Sequence, residues 1–191
     1  MATVILTDSN GVATGVADAV DAHSGEGRLH KAFSVYVFRN GGQELLIQQR
    51  SRHKRLWPLV WANTCCSHPR EGEDVVAAGQ RRLKDECGFT STLIEHGSFV
   101  YRAEDPSGRG VEHEHVTILI GQADEEATCR ANAMEIADWR WVPLEELRKD
   151  MQRRPQEYAP WFHLGMERIG WDRSQAAGPA VRDTGAPGSS Y

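Results

Sequence analysis

The chain is short of several things, and each absence narrows its class. It has only four cysteines in 191 residues, and two of them are adjacent. That gives no spacing for a disulfide framework. A chain of this length closes a hydrophobic core without such staples. Cys65, Cys66, Cys87 and Cys129 therefore read as free thiols in a reducing compartment. No apolar run approaches the ~18 residues that a membrane span needs. No Lys or Arg precedes Arg28, so the basic opening of a secretory signal is missing, and a cytoplasmic location is expected. Positive charge is not in excess either: 22 basic residues stand against 27 acidic ones, a formal net charge of -5. No nucleic-acid footprint is expected from such a balance. Any phosphate site has to be local, built from a few converging cations.

What is present is an ordinary soluble composition, 40% hydrophobic and 26% charged, of a length that suits one domain. Residues 1–30 form a lead-in with a short apolar stretch at Val4-Ile5-Leu6. Ala32 to Phe38 reads as a strand, Asn40-Gly41-Gly42 as a hairpin turn and Glu44 to Arg50 as the returning strand. Residues 51–72 are a long connection carrying Trp57 and Trp61, and a loop of that length in a compact domain is usually functional. Asp74 to Glu86 reads as a helix, with Asp74 as N-cap and Gly88 just past the end. Gly79 in its middle costs ~1 kcal/mol against Ala, so it marks a close approach to another element. Further strands are expected at Ser98–Arg102, Glu112–Ile120 and Trp139–Val142. Helices are expected at Leu144–Arg153 and Gln156–Ile169, with Pro155 in the first turn of the latter. From residue 171 onward the Gly, Ala, Pro and Ser content predicts a disordered tail. The order of elements suggests an α+β or mixed-sheet sandwich.

Two patterns carry chemistry. Glu112 and Glu114 are two apart in a strand, so both point to one face. Val116, Ile118 and Ile120 continue the same parity, which makes that face the buried one. Two carboxylates there are costly unless paired or metal-bound. His23, His30 and His68 complete a set suited to a six-coordinate divalent cation such as Mn²⁺, Mg²⁺ or Zn²⁺. Any one of the eight histidines, taken singly, is more often a surface or core residue. His113 and His115 fall on the opposite strand face and are not counted as ligands.

The second pattern runs from Glu73 to Phe89. It resembles a Nudix box in which Arg82 replaces a Glu and Asp85 replaces another. Fewer clustered carboxylates disfavour activation of water at phosphorus. Arg82 and Glu86 share a helix face and can hold a diphosphate oxygen beside a Mg²⁺. As a surface ion pair the same two residues would be worth ~0.5 kcal/mol or less. Arg50 to Arg55 is a basic cluster able to contact phosphate.

Together these pieces resemble the type I isopentenyl diphosphate isomerase family. The likeness is carried by Arg28-Leu29-His30, the loop from Trp57 through Asn63-Thr64-Cys65-Cys66-Ser67-His68-Pro69, Tyr101-Arg102-Ala103, Glu112-His113-Glu114 and Ala159-Pro160-Trp161. It covers about residues 15–170. The resemblance implies a Nudix-like mixed β-sheet sandwiched between helices, in a single domain over residues 31–170 with the lead-in contributing metal ligands. It implies metal ligands His23, His30, His68, Glu112 and Glu114, and Glu86 for a Mg²⁺ bridging enzyme and diphosphate. Cys66 would be the catalytic thiol and Glu114 the acid/base carboxylate, assisted by Tyr101. Arg50, Lys54 and Arg82 would bind the diphosphate. Trp161 would wall the hydrocarbon pocket and offer cation–π stabilisation. A Lys that family members often carry shortly before the first ligand His is replaced here, near Ala19. The implied reaction interconverts isopentenyl and dimethylallyl diphosphate by protonation and deprotonation, in a monomer or weak dimer. The rival readings are a Nudix-type diphosphate hydrolase and an inactive metal-stabilised binding module.

Overall fold

The computed structural model describes residues 2–171; the tail expected to be disordered lies almost wholly outside them. Nine strands hydrogen-bond into one branched sheet. Its trunk is β3 (His30–Arg39), in a ten-residue stretch whose side chains are nearly all buried. On one edge β3 runs parallel to β8 (Val111–Gln122), from His30 beside Glu114 to Phe38 beside Gln122. β8 in turn pairs antiparallel with β7 (Leu93–Glu104).

The expected hairpin at Asn40-Gly41-Gly42 is only two residue pairs long, Phe38–Leu45 and Arg39–Glu44. Beyond them β4 (Glu44–Arg50) leaves β3 and pairs with β9 (Ile136–Pro143) and the short β5 (Trp61–Ala62). β6 (Cys65–Ser67) takes the vacated edge of β3. Thr64 fills the fork. Val37 N–H donates to its hydroxyl oxygen (2.9 Å), and that hydroxyl donates to the Leu46 carbonyl (2.7 Å). The long connection is thus partly strand, because the open edges of β3 and β4 offer buried backbone groups that must find partners.

Alternation along β3 divides the core. Phe33, Val35 and Val37 pack with Ala78 and Leu83 of α2 (Val75–Cys87). Ala32, Tyr36 and Phe38 face the other way, onto Leu147 and Met151 of α3 (Leu144–Arg153) and Phe162 and Met166 of α4 (Pro160–Ile169). Each fully buried Phe or Leu contributes about 1.5–3 kcal/mol. The result is the expected mixed sheet between helices. Glu114 shares its face with Val116, Ile118 and Ile120, toward α3 and α4.

α2 has the expected caps: Asp74 accepts from Ala77 N–H (3.0 Å), and Gly88 sits at φ 74°. Gly79 does mark a close approach, since a Cβ there would lie 2.4 Å from Leu119 Cδ1. Other expectations need correction. The strand placed at Ser98–Arg102 spans Leu93–Glu104. Its alternation is broken by a register shift between Glu95 and Gly97, so five successive residues are exposed. Pro155 opens a separate 3₁₀ turn, and Pro160 is the proline in the first turn of α4. The lead-in is itself folded, as an antiparallel pair of β1 (Thr3–Thr7) and β2 (Ala13–Asp18) followed by α1 (Ala19–Ala22). β1 joins the trunk at Leu6–His30.

At Gly165 of α4 a Cβ would sit 1.8 Å from the Tyr36 hydroxyl oxygen, closer than at the helix glycine Gly79. Gly165→Ala is expected to lower stability by about 1–3 kcal/mol through overpacking. The buried Tyr36 hydroxyl makes no well-directed hydrogen bond among the described residues, so adding Tyr36→Phe should recover part of the loss. Thermal unfolding of the single and double variants checks this; an unchanged midpoint for Gly165→Ala contradicts it.

Candidate metal centre and active-site cleft

Sheet register assembles the site. The parallel pairing sets His30 beside Glu114, and the antiparallel one sets Tyr101 opposite Glu114. His68 follows β6, which is held to β3 through Phe33–Ser67. His23 caps the C-terminus of α1. Its carbonyl accepts from Val111 N–H (2.9 Å), which fixes it beside Glu112.

His23, His30, His68, Glu112 and Glu114 each offer a ligand atom, and these atoms lie within 4.8 Å of one another. The histidines are oriented from behind. Nδ1 of His23 lies 2.5 Å from the Ala19 carbonyl, and Nδ1 of His30 lies 2.7 Å from that of Arg28. With Nδ1–H donating there, both Nε2 atoms turn lone pairs inward, as metal-ligating histidines do. His30 Nε2 then faces His68 Nε2 at 3.2 Å. His23 Nε2 faces Glu112 Oε2 at 2.9 Å, and that oxygen has no well-directed hydrogen bond. Lone pairs so opposed repel unless a proton or a cation lies between them. The donor set therefore fits a divalent metal ion.

Without a metal, protons serve this purpose. Burial opposes charge on His23, but the hydrogen bond and charge of Glu112 outweigh it and raise the ring to about 9. Burial alone would push Glu114 up. Hydrogen bonds from His30 and His68 outweigh it and hold the carboxyl well below the usual range. Glu114 Oε1 faces His68 Nε2 at 3.0 Å, while Oε2 accepts from the Tyr101 hydroxyl at 2.8 Å. Burial, then the charges of Glu114 and Glu112, push that phenol well above its ordinary value, so it stays a donor.

A cleft of about 190 Å³ opens onto these groups. Cys66, Tyr101, Glu112, Glu114 and His68 line it, with Trp161 and the cations Arg50, Lys54 and Arg82. Cys66 donates its S–H to Asn63 Oδ1 (3.0 Å) and lies 3.5 Å from the Ser34 hydroxyl. Burial pushes the thiol up to about 11, against the pull of Ser34, Arg50 and Asn63. The free site thus holds a protonated thiol and an ionised carboxylate.

The cations are anchored by part of their donors only. Arg50 gives Nε to the Trp57 carbonyl and Nη2 to that of Leu56. Arg82 gives Nε and Nη2 to Glu86, and Nη2 also to Glu135. Lys54 pairs with Glu135. In the rest of the basic cluster, Arg55 turns away to the Val20 and Arg109 carbonyls. Glu86 is buried against Arg82 and Gln48 and stands apart from the five-residue donor set. The Trp161 ring is met by the Arg50 guanidinium at 5.1 Å and edge-on by Trp57 at 5.5 Å. His113 contacts the Gly27 carbonyl, outside the donor set. Ala19 brings no basic side chain; its carbonyl faces His23 Nδ1 and its N–H donates to the Ala2 carbonyl. No sequence pattern marks Glu135, Asn63 or Ser34 as site residues. Asn63 at least lies inside the Trp57–Pro69 loop motif, whereas Glu135 lies in an irregular segment with no pattern.

A divalent ion must displace the His23 proton. Its affinity is therefore expected to rise as pH rises from 6.5 toward 9 and to level off above, where His23 is already neutral. Mn²⁺ titration by calorimetry across that range checks this, and affinity independent of pH contradicts it.

The NUDIX domain pattern matches residues 28–162. An isopentenyl-diphosphate Delta-isomerase of Nocardia farcinica (strain IFM 10152) is 44% identical over 159 residues, 83% of this chain and 89% of that protein. The protein of the same name from Halorhodospira halophila (strain DSM 244 / SL1) is 39% identical, over 83% of this chain and 90% of its own. Among solved structures, DR0079 from Deinococcus radiodurans matches with a TM-score of 0.68 at 16% identity, over 87% of this chain and 98% of that one, a likeness of fold. With this fold and these relatives, the chain belongs to the isopentenyl-diphosphate Delta-isomerase family of NUDIX-domain proteins.

Proposed function

We propose that this protein interconverts isopentenyl diphosphate and dimethylallyl diphosphate by adding a proton to the alkene and removing another from C2. One observation carries the reading. A thiol and a tyrosine-bonded carboxylate share a small cleft with three partly anchored cations, beside a donor set that fits a metal. An unactivated alkene is a weak base, so the route needs a strong local acid and a matched base. Cys66 and Glu114 take these roles on opposite faces of the substrate. Each donates in one direction of the reversible reaction and accepts in the other. Tyr101 relays the proton at Glu114 Oε2, the oxygen turned away from the histidines.

Arg50, Lys54 and Arg82 grip the diphosphate with the N–H groups that the protein leaves open. Their binding energy places the alkene between the two proton-transfer groups. Trp161, backed by Trp57, walls the pocket against water, which would capture a carbocation as an alcohol. Trp161 shares its attraction for cations with Arg50, so its cation–π share stays below the ~2 kcal/mol of an isolated desolvated pair. His23, His30, His68, Glu112 and Glu114 would hold one divalent ion, Mn²⁺, Mg²⁺ or Zn²⁺, and Glu86 would serve a Mg²⁺ that accompanies the diphosphate. Bound metal supplies the positive charge that keeps two carboxylates together in a buried face.

The hydrolase alternative is less well supported. Arg82 stands where the hydrolytic helix carries a carboxylate. A cleft of about 190 Å³ is also below the ~300–1,000 Å³ typical of drug-sized ligands, and it suits a five-carbon chain better than a nucleoside. Incubation with isopentenyl diphosphate, Mg²⁺ and Mn²⁺ is expected to give dimethylallyl diphosphate and no released phosphate, read by chromatography. Cys66→Ser and Glu114→Gln should each lower turnover by about 10²–10⁴-fold while still binding inorganic diphosphate. Phosphate release, or full turnover by Cys66→Ser, contradicts the proposal.

A further inference from the structure

We propose that Glu135 is the positioning residue of the diphosphate clamp, holding Lys54 and Arg82 from outside the cleft and setting their spacing. The inference rests on the diphosphate reading above. Lys54 lies in the loop after β4 and Arg82 on α2, so no shared element fixes their separation. Two like charges lining one small cleft also repel. The Glu135 carboxylate takes one cation on each oxygen: Arg82 Nη2 on Oε1 at 3.1 Å, and Lys54 Nζ on Oε2. Both cations line the cleft, and Glu135 is not in its lining.

Glu135 is itself well fixed. Its N–H donates to the Asn132 carbonyl and its carbonyl accepts from Ser51 N–H, both at 2.9 Å. The next residue, Ile136, pairs with Arg50 in the sheet. All three clamp cations are thereby referenced to one point of the fold. Arg82 spends Nε and Nη2 on Glu86 and Glu135, and Nη1 has no protein partner among the described residues. Lys54 likewise keeps N–H groups beyond the one given to Glu135. Burial works against ionisation of Glu135, but Lys54 and Arg82 outweigh it and hold the carboxyl below its ordinary value, so it stays an anion between them.

A carboxylate that only diluted the positive charge would have the opposite effect on diphosphate, so the sign of one substitution decides. The test is calorimetric binding of inorganic diphosphate to the full-length protein, with Mg²⁺ and with chelator, alongside kcat and KM for isopentenyl diphosphate. Glu135→Gln is expected to weaken diphosphate binding about tenfold, the worth of a hydrogen bond to a charged group. It should do so with or without Mg²⁺, and raise KM to match with kcat little changed. Glu135→Asp should recover part of the affinity, and carries the test if the Gln variant does not fold. Unchanged or tighter binding by Glu135→Gln overturns the assignment, as does weakening confined to Mg²⁺, which would make Glu135 a metal ligand. Wild-type protein that binds no diphosphate overturns the functional reading itself, before Glu135 is in question.

Discussion

The structure turns on a buried carboxylate. Glu114 sits in the middle of a sheet, on a face shared with Glu112 and continued by Val116, Ile118 and Ile120. An ionised group there is tolerated only if it is fully partnered. Register supplies the partners on both sides, His30 from β3 and Tyr101 from β7. The third partner, His68, just past the end of β6, arrives only because β4 leaves β3 and frees its edge for β6. The fork in the sheet, held by Thr64, is thus tied to the chemistry of the site.

The same fork explains the Asn-Thr-Cys-Cys run. Asn63 donates both amide hydrogens to backbone carbonyls, those of Val35 and Cys65, at 3.0 Å each. Its oxygen is then fixed toward Cys66, whose S–H it accepts. An amide turned the other way would set its oxygen against two carbonyls. One residue thereby satisfies the open edge of β3 and orients the thiol. Trp57, which packs edge-on to Trp161, is held by a different element, its N–H donating to Asp105 in the turn after β7 (2.6 Å).

Much of this was legible in the sequence, and the reason is period. Two carboxylates with the parity of a buried strand face identify an unusual site from pattern alone, and the caps of α2 follow from Asp74 and Gly88. Residue type makes the three histidines suitable ligands, but only the family resemblance assigns them to one site, because their spacing says nothing of the topology that joins them. Other features left no periodic signal. The Glu95–Gly97 shift hid most of β7, and the fork cut the hairpin to two pairs. Glu135 sits in a loop where only tertiary structure brings a carboxylate to two cations from distant elements.

Proton exchange across a carbon–carbon double bond is the step that all these groups serve, and turnover of isopentenyl diphosphate in deuterated water reports it. With Mg²⁺ and Mn²⁺ present, NMR should show dimethylallyl diphosphate carrying deuterium in a methyl group, since the added proton comes from groups that exchange with solvent. Folded, metal-loaded protein that forms no isomer and exchanges no hydrogen would rule this chemistry out.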